Sequence, residues 1–473
     1  MERTETPPAP IEPRSAWREI LSVLRGNYGD YTTGSLRRAV VFLAVPMVLE
    51  MVMESLFSIV DIYFIGELGS NAVAAAGLTM SWITIIFAVA LGLSMGTTAT
   101  VARRIGEGNP EAARRAAAQA IGLGVLISIP LGILGAVFAG DLLRLLGGEA
   151  ETVRVGTGFT AIMLGGNITI FLIFLINAVF RGAGDAFLAM RALWLANGIN
   201  IILDPLLIKG IWIFPELGME GAAIATTIGR GVGVGYQIWM LARGSGRIHT
   251  GLRHFRPVWE EMVRLLNVSA FGIVQILIGT ASWMAMMKIL ARFGDEVLAG
   301  YTIAIRIVIF ILLPAWGIAN AAATLMGQNL GAQKPERAEA AVWLTAKANA
   351  IFLVGVSVSF FLFAEEMCGI FSKDANVIRV GATSLRWISA SYLFLAYGLT
   401  IVQAFNGAGD TRTPTFLNLL AYWIVQIPLA WFLSTQTGLA ETGAFIAIAI
   451  AQTVLAISAI WAFRKGLWLQ HVV

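Results

Sequence analysis

Four carboxylates fall inside apolar stretches where such side chains are expensive. Glu50, Glu54 and Asp61 lie in the run 39–65, and Asp204 lies in the run 187–208. A charge at the centre of a bilayer costs at least roughly 2.5 kcal/mol, so each needs a partner or a task. At about 100° per residue, positions 50, 54 and 61 project at about 0°, 40° and 20°, so they share one helix face. Asn200 and Asp204 are four apart and share a face of their own helix. Asp61, Asp204 and the neutral oxygen of Asn200 therefore suggest a cation-coupling site for a proton or a sodium ion. Taking a carboxylate out of water favours its neutral form, which suits a proton carrier. Glu50 sits nearer the cytoplasmic end, where it would line a vestibule, and Glu54 lies between. The plainer alternative for all of them is that they hydrogen-bond helices together.

Other residues would support such a site. Asn177, Thr226 and Thr227 offer further oxygens to a substrate cavity, or serve interhelical hydrogen bonds. Pro46 stands fifteen residues before Asp61 and frees the carbonyl of Phe42, so the first helix can kink. That kink either answers to the charge on Asp61 or is fixed by packing. The second half of the chain reads differently. Its spans contain no carboxylate, Glu441 lying just outside the last one, whereas Arg306 and Arg386 lie within them. Those arginines would pair across the two halves, meet lipid headgroups or cap helix carbonyls. In a cavity they would repel a cationic cargo.

The elements that must hold these groups are membrane helices. Of 473 residues, 57% are hydrophobic and 13% charged, about half the charge of a soluble domain. Twelve apolar stretches reach spanning length. With the N-terminus placed in the cytoplasm, 23 Lys and Arg fall on inward segments and seven on outward ones, which sets both termini inside. Residues 1–37 read as a cytoplasmic tail, not a signal peptide, with Trp17 to Leu24 either an amphipathic helix on the membrane or unstructured.

The chain repeats with an offset of 225 residues. Gly69 matches Gly294, the loop Gly106–Pro110–Glu111–Ala113 matches Gly331–Pro335–Glu336–Ala338, and Gly182-Ala183-Gly184-Asp185 recurs as Gly407-Ala408-Gly409-Asp410. Six helices per unit return the chain to its starting side, so the halves run the same way. The expectation is an all-α membrane protein of two six-helix bundles, related by a pseudo-two-fold along the membrane normal. The bundles are 38–243 and 264–465, with a basic cytoplasmic linker at 244–263 and a tail at 466–473. The glycine turns are expected to bend the chain, with Asp185 and Asp410 capping the next helices. The counterpart of Asp61 is Met286, so the repeat is broken where the chemistry would sit.

Several of these segments resemble the multidrug and toxic compound extrusion (MATE) family. They are Pro46 with Ile59-Val60-Asp61 and Phe64-Ile65-Gly66-Glu67-Leu68-Gly69, the loop Gly327-Gln328-Asn329-Leu330-Gly331-Ala332, the paired turns at 181–185 and 406–410, and Asn200-Ile201-Ile202-Leu203-Asp204-Pro205. The resemblance spans about residues 38–465 and implies antiport of organic cations, drugs or metabolites against protons or sodium. The family's sodium-coupled bacterial branch places acidic residues in its seventh and tenth helices. This chain has none there, which turns attention to the first half and to protons.

What is missing narrows the alternatives. Cys368 is the one cysteine, and His249, His254 and His471 fall in a loop or the tail, so no metal or cofactor is expected beyond the coupling ion. No lysine of a phosphate-binding loop follows the glycine turns, and no nucleophile and base pair lies in the spans, so an enzyme is not expected. A flippase for lipid-linked precursors remains open, although such cavities tend to be basic. The expected partners are a lipophilic or cationic small molecule, the coupling cation and the bilayer, with no nucleic acid. A monomer in the plasma membrane is expected.

Overall fold

The computed structural model describes residues 31–244 and 247–470, so the expected helix at Trp17 to Leu24 lies outside the described residues. Among the described residues every regular element is helical. Six membrane-length segments form the first half: α1 Leu36–Gly66, α2 Ser70–Gly106, α3 Pro110–Val137, α4 Ala150–Ala183, α5 Ala186–Lys209 and α6 Gly218–Arg243. The second half has α7 Trp259–Phe293, α8 Asp295–Gly331, α9 Pro335–Gly369, α10, α11 Arg412–Gln436 and α12 Ala440–Arg464. Here α10 is a bent pair, Ala375–Ser389 and Tyr392–Ala408, meeting at 59°. Eleven of the twelve are long and apolar enough to cross a bilayer, counting α10 as one. The twelfth, α6, has the length at 26 residues, but its sequence carries Glu220, Arg230 and six glycines. Such a helix must be shielded by neighbours, and α5 packs along it extensively.

The 225-residue register persists in the backbone. Gly69 and Gly294 precede α2 and α8 with φ 97° and 102°. Gly184 and Gly409 end α4 and α10, each left-handed with φ 90°. A side chain is disfavoured in those conformations, which explains the repeated glycines. Phe138 interrupts the helix after α3, and its counterpart Phe363 is the one non-helical residue inside α9. The turns did not behave alike. Asp410 accepts a bond from Thr413 N at 3.0 Å, as an N-terminal cap does, whereas Asp185 makes no cap and instead accepts from the backbone N of Arg247 at 2.6 Å. The expected cap at Asp185 is thus replaced by a tie to the linker.

The halves meet through α1 on α8 and α2 on α7 and α8. The first two contacts exchange under the repeat, as a two-fold requires. They are made by glycines: a side chain at Gly317 would collide with the backbone of Met47, and one at Gly92 with Ile273. At the end carrying the glycine turns, hereafter the basic face, Gly106 and Gly331 lie on each other. A Cβ at Gly331 would come within 2.2 Å of the Arg103 carbonyl. Thr324 and Gln328 of α8 donate to the carbonyls of Arg181 and Gly182 at 3.0 and 2.9 Å. The seam is therefore shut on the basic face. Gly331→Val should open it, since overpacking of this kind costs about 1–3 kcal/mol in the closed arrangement. A cysteine at Gln328 should then react with a polar maleimide about fivefold faster or more. An unchanged labelling rate would show that the glycine contact does not hold the seam.

Two straps cross this seam. The segment leading into α1 lies on the second half: Lys334 donates to Thr32 O at 2.8 Å, and Arg337 to Thr33 O at 2.7 Å and Gly34 O at 3.0 Å. The segment leading into α7 lies on the first half. Gln119 donates to His254 O and Arg256 O at 3.0 and 2.9 Å and accepts from Val258 N at 2.9 Å. The ring of His254 meets Glu111 at 3.0 Å, with Arg253 and Arg114 at 3.6 and 3.5 Å from the same carboxylate.

Candidate functional site: carboxylates of the first lobe and the cavity between lobes

The carboxylates of α1 share a face, but the structure distributes them over two places. The helix rises about 1.5 Å per residue, so Glu50 and Asp61 stand roughly 16 Å apart along it. The lower place is built around Glu50, which is 1% exposed. Its Oε1 accepts from Arg181 Nη1 at 2.9 Å and from Asn177 Nδ2 at 3.0 Å, while Oε2 has no hydrogen-bond partner. Arg181 and Asn177 are one helical turn apart on α4, which is how both reach the same oxygen. Asn177 in turn accepts from Gln237 of α6 at 2.6 Å. One turn along α1, Glu54 accepts from Asn197 of α5 at 3.0 Å.

Glu50, Glu54 and Arg181 line a cavity of about 410 Å³ between the lobes. Its remaining walls are largely apolar and aromatic, among them Phe87 and Phe174 of the first lobe and Trp316 of the second. The second lobe contributes carboxamides, Asn320, Gln403 and Asn406, and no charge. Asn406 is the repeat counterpart of Arg181. Asn177, Thr226 and Thr227 are not in this lining. Asn177 is spent on Glu50 and Gln237, and Thr227 bonds Ala223 O within α6 at 2.8 Å.

The upper place lies toward the opposite face. Asp204 is fully buried, and its Oδ1 accepts from Asn200 Nδ2 at 3.3 Å. Asn200 also donates to Thr226 Oγ1 at 3.0 Å. Asp204 Oδ2 and Asn200 Oδ1 are buried without a hydrogen-bond partner. Asp61 is close enough to Asp204 for their charges to act on one another. The acceptors in this group are all oxygens, which can take up a proton or coordinate a hard cation. Between the two places stands Arg230 of α6, with Glu54 and Asp61 both in electrostatic range and the rings of Phe57 and Phe87 at 5.9 and 5.8 Å. The sequence reading assigned no role to Arg230, which lies within the sixth helix, and took Arg181 only as part of a turn. Their spacing from Asn177 and Thr226, each four residues, is the signal that places them on working faces.

The arginines of the second lobe lie elsewhere. The reading that the spans of the second half offer Arg386 no carboxylate is corrected: α9, expected to span 340–363, runs on to Gly369 and brings Glu365 to 3.1 Å from Arg386. Arg306 lines a separate surface recess with Asp295, Thr302 and Phe371. Neither faces the central cavity. Pro46 stands inside an unbroken α1, buried, one turn below Glu50.

The MatE family model matches residues 46–206 and again 273–432, once in each half. A probable multidrug resistance protein NorM of Thermotoga maritima is 28% identical over 413 residues, covering 87% of this chain and 88% of that one. An FAD transporter of Shewanella oneidensis is 28% identical over 384 residues, covering 79% and 83%. Among solved structures, the outward-facing conformation of a multidrug resistance MATE family transporter of the MOP superfamily superposes with a TM-score of 0.87 at 26% identity, covering 93% of this chain and 98% of that one. One family model thus runs through both arms of the repeat, and the chain belongs to the MatE family of integral membrane transporters.

Proposed function

We propose that this chain exports lipophilic organic cations across the plasma membrane, in exchange for protons or sodium bound at Asp61, Asp204 and Asn200. The observation that carries the coupling is the pair of buried, unpartnered oxygens on Asp204 and Asn200, with Thr226 and Asp61 beside them. A proton or a sodium ion supplies the contact those oxygens lack. The cargo reading rests on the cavity. Arg181 is neutralised by Glu50, which leaves Glu54 as the cavity's net charge, amid aromatic walls that suit a greasy cation. A cargo rich in phosphate, such as a flavin dinucleotide or a lipid-linked precursor, would find Arg181 as the one cation among the lining residues, and that one is paired with Glu50. Arg230 links the two places. Loading of Asp61 changes the charge that Arg230 sees, and with it the charge available to Glu54 at the cavity, so that ion and cargo bind at each other's expense.

On this reading the basic face is cytoplasmic, as the distribution of Lys and Arg requires, and both termini lie inside. The shut seam then makes this the outward-facing state of a monomer. The test is ethidium efflux from proteoliposomes with the proton and the sodium gradient collapsed separately. Efflux should stop with one of them and continue without the other. Efflux that continues with both collapsed would overturn ion coupling.

A further inference from the structure

A second pocket lies on the basic face, at the seam between α2 and α3 of one lobe and α7 of the other. It is about 250 Å³ in volume, and Arg104, Arg115 and Arg264 converge on it, with Asn109 and Gln119. Arg104 is held by Glu107 at 2.8 Å, and Glu261 is the one carboxylate of the lining. The side chains of Arg115 and Arg264 make no hydrogen bond or ion pair among the described residues. Arginine presents a rigid fork of donors matched to phosphate and carboxylate oxygens.

The repeat supplies an independent reading of this place. Under the 225-residue offset, Asn109 and Ala112 of the lining correspond to Lys334 and Arg337. Those two cations are fully engaged, because the strap into α1 lays its carbonyls across them. Arg115 and Arg264 instead correspond to Ala340 and Ala39. The second lobe therefore keeps its cations where the chain itself satisfies them. The first lobe keeps its cations around a hollow that the strap into α7 does not fill, since that strap is bound to Gln119 and Glu111.

We propose that this hollow binds a phosphoryl group, with Arg115 of one lobe and Arg264 of the other as its principal contacts and Arg104 beside them. A group held by both lobes fastens the seam and stabilises the arrangement in which the basic face is shut. Two sources offer that chemistry: the headgroup of an anionic phospholipid in the adjoining leaflet, and free phosphate.

Thermal unfolding of the purified full chain in detergent, followed by tryptophan fluorescence, tests this. Dioctanoyl phosphatidylglycerol, dioctanoyl phosphatidylcholine and inorganic phosphate are titrated separately. The expected result is a saturable rise in melting temperature with phosphatidylglycerol and none with phosphatidylcholine. In Arg115→Gln/Arg264→Gln the half-saturating concentration should rise about tenfold or more. Arg144→Gln/Arg154→Gln, on the opposite face, should behave as wild type. A rise with inorganic phosphate that is weakened in the same variant supports the site and assigns it to the free anion. If neither anion stabilises the wild type, or if the seam variant responds as the wild type does, the proposal is wrong.

Discussion

Asp61→Asn and Asp204→Asn are each expected to reduce gradient-driven efflux to background while leaving a folded, inserted protein. The amide keeps the volume of the carboxylate and can still accept the bond that Asn200 gives to Asp204. It cannot release a proton, and it offers a sodium ion no charge. A change of this sort at an isosteric position should alter stability by about 1 kcal/mol or less, so melting temperature and efflux should part company. Binding of a fluorescent cation supplies the second readout. In the wild type it should strengthen from mildly acidic to mildly basic pH, as protons leave the carboxylates and the cavity becomes more negative. In Asp204→Asn the dependence should flatten or move. Wild-type efflux in the Asn variants, or an identical pH profile, would remove that carboxylate from the coupling.

Arg181→Ala should do the reverse, acting on stability first. It leaves Glu50 buried at 1% exposure with an amide as its remaining contact. Removing one partner of a buried ion pair typically costs about 3–5 kcal/mol, because the other charge is left without compensation. Replacing both by neutral groups is far milder, so Glu50→Gln/Arg181→Ala should recover most of the lost stability. The measurement is thermal unfolding of the four proteins as a double-mutant cycle, which isolates the pairwise energy. Additive losses would mean that the 2.9 Å contact is not what holds the floor of the cavity.

The repeat and the twelve helices were legible because they depend on composition and local backbone preference. Gly69 and Gly294 are glycine because the backbone there is left-handed, and that requirement is written in one residue. The depth of side chains was less legible. A helical wheel gives the shared angle of Glu50, Glu54 and Asp61 but projects out the axis; their order along the helix set Glu50 toward a vestibule without showing which group each would meet. The roughly 16 Å of rise between Glu50 and Asp61 puts them at two sites. Partners were the least legible of all. Glu365 was lost to Arg386 by a span drawn too short, and the Glu50–Arg181 pair joins residues 131 apart in the chain. Nothing local in the sequence specifies such a contact, because the packing of α1 on α5 and of α4 on α5 creates it.

The crossed straps at the basic face have a mechanical consequence. The strand that feeds the first helix of each lobe is gripped by the other lobe. If the lobes part on that side, each grip pulls on a helix that belongs to the lobe moving away. Either the strap lets go, exposing the carbonyls of Thr32, Thr33 and Arg256 to water, or α1 and α7 are dragged lengthwise or tilted within their own bundles. The first outcome makes the straps a latch that resists opening. The second makes them a pair of reins, through which a rocking motion of whole lobes is converted into a displacement of α1, the helix on which Glu50, Glu54 and Asp61 all ride.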